Sequence, residues 1–262
     1  MIEIIHGDCI EEIPKLGKKF AFGFADPPFG IDEDYNGFTD KFTDYESWTR
    51  QWMQVIFSAV DGVVCLHGPD HVAEIYLHIA REMKLNRIDW VNWHYRFGQC
   101  QRTRFIDSRC HLLVFSTVEK HTWNPHDVLV ASDRAAKYGD KRVNDYENGG
   151  KRVPGTTWGV PSDGRFWGRV TGNNAERWKN HPNQLPEVYL ERVIRSWTNP
   201  GDDLLIGFCG SGTEVVVADA LGRNCTAFDV SEFNVESARE RVKRGAVRVK
   251  SLLPLGRDGE GK

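Results

Sequence analysis

The sequence predicts an α/β fold, with a mostly parallel seven-stranded sheet and helices on both faces. Three observations lead there. Seven short apolar runs alternate with segments of helical period, the pattern that gives a largely parallel sheet. The run Phe20-Ala21-Phe22-Gly23-Phe24-Ala25 is apolar throughout, as a strand covered on both faces must be. Two runs end in tight turns, Asp26-Pro27-Pro28 and Gly210-Ser211-Gly212, at the strand edge where open α/β sheets bind ligands.

The elements follow in order. Ile2–Ile5 is a strand, ended by the turn Gly7-Asp8, and Ile10–Leu16 makes a short helix stopped near Gly17. Phe20–Ala25 is the second strand, and two prolines forbid its continuation as a central ladder. Residues 30–42 are polar and without period, so they read as a loop. Thr43-Asp44-Tyr45-Glu46 has capping-box spacing, and Tyr45, Trp48, Trp52, Val55, Ile56 and Ala59 follow at helical intervals, which makes the tryptophans core residues. Val63–Leu66 is a strand, Val72–Met83 a helix, and Asp89–His94 and Cys110–Thr117 are two more strands. Apolar repetition is lost from Trp123 to about Gly159, a length of loop that is uncommon in a compact domain unless functional. Pro186–Trp197 is a helix, Leu204–Ile206 a strand, Thr213–Leu221 a helix, Cys225–Asp229 a strand and Ser231–Arg244 the last helix.

The chain has 262 residues, which suits one α/β domain over residues 1–253, carrying an insertion over residues 123–157, followed by a frayed tail over residues 254–262. No apolar run approaches the ~20 residues of a membrane span, and the N-terminus lacks the basic start of a secretion signal. The six cysteines form no Cys-x-x-Cys pair, which argues against a structural metal or a disulfide framework and fits a reducing cytoplasm. The net charge of -3 hides an asymmetry: between Arg81 and Asn180 there are 18 Lys+Arg against 11 Asp+Glu. A basic middle on an acidic frame is compatible with a phosphate-facing surface, though a solvated charged face reads the same way.

Two motifs carry chemistry. In Asp26-Pro27-Pro28-Phe29 a carboxylate and a peptide carbonyl can accept the hydrogens of an amine, and a ring can stack beside it. Alone, the motif reads more readily as a rigid strand-ending turn with a core phenylalanine. In Phe208-Cys209-Gly210-Ser211-Gly212-Thr213 the glycines let the backbone approach a ligand closely, and Asp229 ends the next strand, where a carboxylate can accept ribose hydroxyls. The third glycine of the dinucleotide fingerprint is missing, which counts against a nicotinamide cofactor.

Together and in this order the motifs resemble the β group of DNA amino-methyltransferases, enzymes dependent on S-adenosylmethionine. Phe208–Thr213 looks like their cofactor motif and Asp26–Phe29 like their catalytic motif. His181-Pro182-Asn183-Gln184-Leu185-Pro186-Glu187 is similar to their His-Pro-Thr-Gln-Lys-Pro-Glu segment. Gly7-Asp8-Cys9 and Trp158-Gly159-Val160-Pro161 are similar to two further family stretches. The resemblance implies a Rossmann-like methyltransferase fold in circularly permuted order, with the catalytic motif first and the cofactor motif last. There are three departures: Ile206-Gly207 stands where the family has Asp-Pro, Leu185 replaces a lysine, and Phe29 replaces a commoner tyrosine. The first two predict a weaker hold on the methionine end of the cofactor.

What the resemblance implies for function is specific. Asp26 and the Pro27 carbonyl would hold the exocyclic amine of a base flipped out of DNA, Pro28 would stiffen the loop, and Phe29 would stack on the base. Asp8, Cys9, His181, Asn183, Gln184, Phe208, Cys209, Gly210, Ser211, Gly212, Thr213 and Asp229 would bind the cofactor. An aspartate at the head of the motif favours adenine-N6 over cytosine-N4. Within the insertion, Arg134, Lys137, Lys141, Arg142, Lys151 and Arg152 would contact DNA. The expected partner is DNA, with no metal and no membrane; members of the group are often homodimers. A DNA-binding module with lost or feeble transfer is the alternative that the departures suggest.

Overall fold

The computed structural model describes residues 1–33, 39–95, 102–132, 134, 138–141, 150–160, 167–179 and 181–249. The tail and two of the six insertion residues expected to touch DNA, Lys137 and Arg142, lie outside these.

Ten strands are present among the described residues: β1 (Ile2–His6), β2 (Phe20–Ala25), β3 (Val60–Gly68), β4 (Asn86–His94), β5 (Arg109–Ser116), β6 (Val130–Ala131), β7 (Lys151–Arg152), β8 (Thr157–Trp158), β9 (Asp203–Ile206) and β10 (Asn224–Asp229). Eight form one sheet in the order β1-β10-β9-β2-β3-β5-β4-β8. Seven are the strands that the apolar runs predict. The eighth, Thr157–Trp158, adds a short parallel edge beside β4. Only β5 runs against its neighbours in this sheet. The pair β6–β7 forms a separate two-stranded ribbon within the insertion.

Helices α1 (Cys9–Glu12), α2 (Tyr45–Ala59) and α3 (Asp70–Glu82) cover one face of the sheet, and α4 (Glu187–Trp197), α5 (Thr213–Ala220) and α6 (Glu232–Arg244) the other. From Phe22 onwards side chains of β2 alternate: Phe22 and Phe24 pack into the core under α4 to α6 and Ala25 into the core under α2 and α3, while an irregularity in register between Phe20 and Phe22 turns Phe20 to the α2–α3 side as well. The helix expected over Ile10–Leu16 is α-helical only to Glu12, then a 3-10 turn over Ile13–Leu16. Pro14 has no N–H to continue the α ladder. The capping residue of α2 is Asp44 rather than Thr43, its carboxylate accepting from Ser47 N–H at 2.9 Å.

The topology explains where a site must form. β1, β10, β9, β2 and β3 are parallel, so their C-terminal ends emerge on one edge. β9 and β10, from the end of the chain, lie between β1 and β2, from its beginning. Asp229 ends β10, and Asp8, Asp26 and Gly210 follow the ends of β1, β2 and β9 on that edge.

Candidate active site

A cavity of about 1040 Å³, including its open mouth, lies on this edge. It is lined by Asp26, Pro27, Pro28 and Phe29 from the end of β2, and by Phe208, Cys209, Gly210 and Ser211 from the turn after β9. Asp8 and Cys9 from the start of α1, His181, Asn183, Gln184 and Leu185 from the segment before α4, and Asp229 from the end of β10 complete the expected set. Gly212 and Thr213 lie behind the wall. Gly212 takes φ +72° and passes so close to α6 that a Cβ there would stand 2.8 Å from Ala238 Cβ. Buried Thr213 receives Arg241 on its hydroxyl at 2.6 Å.

The loop after β2 is held from several sides. Tyr45 donates its hydroxyl to the Pro28 carbonyl at 2.8 Å, and His71 Nε2 stands 3.1 Å from the Phe29 carbonyl oxygen. The buried Asp40 carboxylate accepts from Gly30 N–H at 3.0 Å and Ile31 N–H at 3.2 Å. The Asp26 carboxyl and the Phe29 ring are thus in place before any ligand arrives. Burial, reinforced by the neighbouring charge of Glu214, raises the Asp26 pKa well above the usual carboxylate range.

The opposite wall is bound together by Asp229. Its carboxylate accepts from Gly210 N–H at 2.8 Å and Ser231 N–H at 2.8 Å, fixing the glycine turn against the start of α6. Asp8 caps α1 by accepting from Ile10 N–H at 2.9 Å while still facing the cavity. The His181 ring lies over the turn, with Nε2 3.2 Å from where a Cβ on Gly210 would be. Burial lowers the His181 pKa to about 4, so the imidazole is neutral near pH 7. Gln184 engages both ends of its amide with the backbone, accepting from Trp178 N–H at 3.0 Å and donating to the Glu176 carbonyl at 2.8 Å. It holds the segment before α4 in position. Asn183 accepts a hydrogen bond from Arg169 at 2.6 Å and has φ +54°.

Several lining residues escaped the sequence reading. Trp48, expected in the core, is half-buried and lines the cavity, stacked on Phe42 at 4.3 Å; Trp52 is fully buried as expected. Glu214, the first-turn acid of α5, is 4 % exposed and lines the cavity, and burial raises its pKa to about 7. Its place directly after Thr213 was the available signal. Asn234 lines the cavity too and donates to the Asp229 carboxylate at 3.2 Å.

The donor set discriminates between cofactors. Four carboxylates line the cavity, Asp8 and Asp229 near one pair of strand ends, Asp26 and Glu214 near the other, with no lysine or arginine among the described lining residues. Aromatic walls and acids fit a nucleoside carrying a cationic tail. They do not fit a pyrophosphate, which calls for basic groups or free N–H donors.

A second recess of about 1260 Å³ meets the first at Asp26, Phe29, Asn183, Gln184 and Leu185. Its walls carry His67, Trp93 and Tyr95 with Arg104, Arg109 and Arg169. Asp70 and Asp107 line the recess as well, paired with Arg109 and Arg104, so Asp26 faces an acidic cavity on one side and an aromatic recess rimmed by ion pairs and Arg169 on the other. None of the four described insertion residues expected to touch DNA lines either cavity: Arg134, Lys141 and Lys151 are exposed, and Arg152 is half-exposed.

Residues 21–240 match the family model described as DNA methylase, of the N6/N4 type. The chain belongs to that DNA methylase family. It is 27% identical over 260 residues to the type II methyltransferase M1.MboII of Moraxella bovis, covering 91% of this chain and 96% of that one. It is 25% identical over 254 residues to the DNA adenine methyltransferase YhdJ of Escherichia coli K12, covering 91% and 82%. Among solved structures, the PvuII DNA methyltransferase, titled cytosine-N4-specific, superposes with TM-score 0.66 at 14% identity over 91% of this chain and 85% of that one. The M1.HpyAVI–SAM complex gives TM-score 0.58 at 17% identity over 92% and 100%. The methyltransferase fold expected from the motifs is the fold observed, and S-adenosylmethionine is the cofactor that goes with the family.

Proposed function

We propose that this DNA methylase transfers a methyl group from S-adenosylmethionine to the N6 amine of adenine in DNA. The observation that carries the reading is the meeting of Asp26-Pro27-Pro28-Phe29 with the glycine turn 208–211 in one cavity, two stretches about 180 residues apart in sequence.

The cofactor, when bound, supplies a methyl group on a positively charged sulfur, electrophilic enough to need no metal. Asp229 and Asp8 are the acids for ribose and adenine contacts, and Trp48 and Phe208 supply apolar walls. Glu214, whose carboxyl lines the cavity beside Asp26, suits the cationic end. Asp26 and the Pro27 carbonyl accept the two hydrogens of the target amine. That draws the nitrogen out of conjugation and exposes its lone pair. Phe29 stacks on the flipped base, an interaction of roughly 1–3 kcal/mol in other base–aromatic pairs. A positive charge nearby favours the ionised form of Asp26 and so opposes the burial that raises its pKa.

An aspartate heading the motif supports adenine over cytosine. The test is nucleoside analysis after incubating host DNA with the protein and labelled S-adenosylmethionine. N6-methyladenine is expected. N4-methylcytosine would replace the base assignment, and binding of DNA and cofactor with no methylated product would favour a module that has lost transfer.

A further inference from the structure

Phe105 is the most exposed large apolar side chain of the described residues, with 97% of its surface open to solvent, and Ile106 beside it is 48% exposed. They sit in the connection between β4 and β5. Tyr95 N–H donates to the Ser108 carbonyl at 2.9 Å, extending the ladder past β4. Arg104 then grips Asp107 through two parallel contacts of 2.9 Å and 2.7 Å. This fork closes a four-residue turn with Phe105 and Ile106 at its tip. β4 runs parallel to β3 and β2, so the connection leaves the sheet on the edge that carries Asp26. The two ends of the turn, Arg104 and Asp107, line the aromatic recess into which Asp26 and Phe29 also face. Exposed Arg102 lies just before it, while Arg109 is engaged by Asp70 at 3.0 Å and 2.8 Å.

A fully exposed aromatic ring with exposed Arg102 close by in sequence, at the mouth of a recess that Asp26 also lines, fits a stacked polyanion. We propose that Phe105 is the wedge that enters the base stack of duplex DNA and fills the place of the base swung out towards Asp26, with Arg102 on the adjacent phosphates. The proposal rests on the function argued above. Apolar side chains that intrude between base steps serve this purpose in other DNA-bending proteins, and a ring can replace the stacking that the departing base gives up.

The experiment compares wild type, Phe105→Ala and Phe105→Trp on duplexes carrying the target sequence read from methylation mapping. On a matched duplex, Phe105→Ala should methylate about 10- to 100-fold more slowly. On a duplex with a mismatch at the target base, where little unstacking is required, it should approach wild type. With 2-aminopurine at the target position, wild type should raise the fluorescence, Phe105→Ala should not, and Phe105→Trp should restore it. Affinity for S-adenosylmethionine should be the same in all three. Equal rates on the matched duplex overturn the wedge, as does an equal loss on matched and mismatched DNA. A change in the protein's sedimenting mass in Phe105→Ala overturns it in favour of a contact between protein copies. Absence of any methylated product from wild type overturns the functional reading and the wedge with it.

Discussion

Three acids near the reacting centre make separable predictions. On the proposed mechanism Asp26 is an acceptor of the target amine, so in Asp26→Ala transfer should fall by at least ~100-fold, while calorimetry should find S-adenosylmethionine affinity nearly unchanged. Asp229→Ala should do the reverse at first order, weakening cofactor binding, because it removes the proposed ribose acceptor together with the anchor of the glycine turn at Gly210. Comparable turnover by the Asp26 variant would remove that residue from the mechanism. Glu214 is testable through stability. Its folded pKa of about 7 lies above the ordinary glutamate value of 4.5, and burial is the main cause. Above pH 4.5 the unfolded chain releases this proton while the folded chain keeps it, so stability falls as pH rises, and levels off beyond pH 7. The full cost is about 3 kcal/mol. Glu214→Gln should therefore melt above wild type at pH 8 without cofactor, with the two converging towards pH 4.5. An unchanged difference across that range would show that the carboxyl is not buried as described.

At the scale of elements, the glycine turn is fixed from behind as much as from the cavity. Gly212 has φ +72°, and a Cβ there would meet Ala238 of α6 at 2.8 Å. Gly212→Ala adds a left-handed alanine and a close contact between two packed elements, a loss of roughly 1–3 kcal/mol. Chemical denaturation should show a lower midpoint, and no loss would mean that α6 can retreat freely. Elements such as β2 and β9 were legible because strands covered on both faces must be apolar throughout, a pattern local to the sequence. β6, β7 and β8 were not, since two residues carry no period. Trp48 was read as core from its helical spacing. The spacing is correct for α2, but it cannot tell a residue beneath the sheet from one at the cavity rim. Arg104 and Arg169, which line the recess beside Asp26, carry no local sequence signal, because they converge there only through the fold.

Across the whole molecule, the two ends of the chain are woven into one sheet. β1 pairs with β10, and β9 lies between β10 and β2, so neither β1 and β2 nor β9 and β10 can complete their ladders alone. A buried charge cluster ties the helices of the later part of the chain to the glycine turn. Glu187, at the start of α4, accepts from Arg241 of α6 at 3.3 Å and from Val247 N–H at 2.8 Å, and Arg241 reaches Thr213 of the glycine turn. Breaking such a pair by removing one partner typically costs 3–5 kcal/mol, because the other charge is left buried. The strand order was outside what motif order could fix, yet it is what brings Asp26 and Gly210 to one cavity. A cofactor held by both halves should then stabilise the sheet as a unit. At a hundred times its Kd, S-adenosylmethionine contributes about 2.7 kcal/mol, so calorimetry should show one transition moving upward by roughly 5–11 °C for a chain of this size. Two transitions, with only the later-encoded strands responding to the cofactor, would mean that the interleaved sheet is not one cooperative body and that the shared cavity is not what couples acid to cofactor.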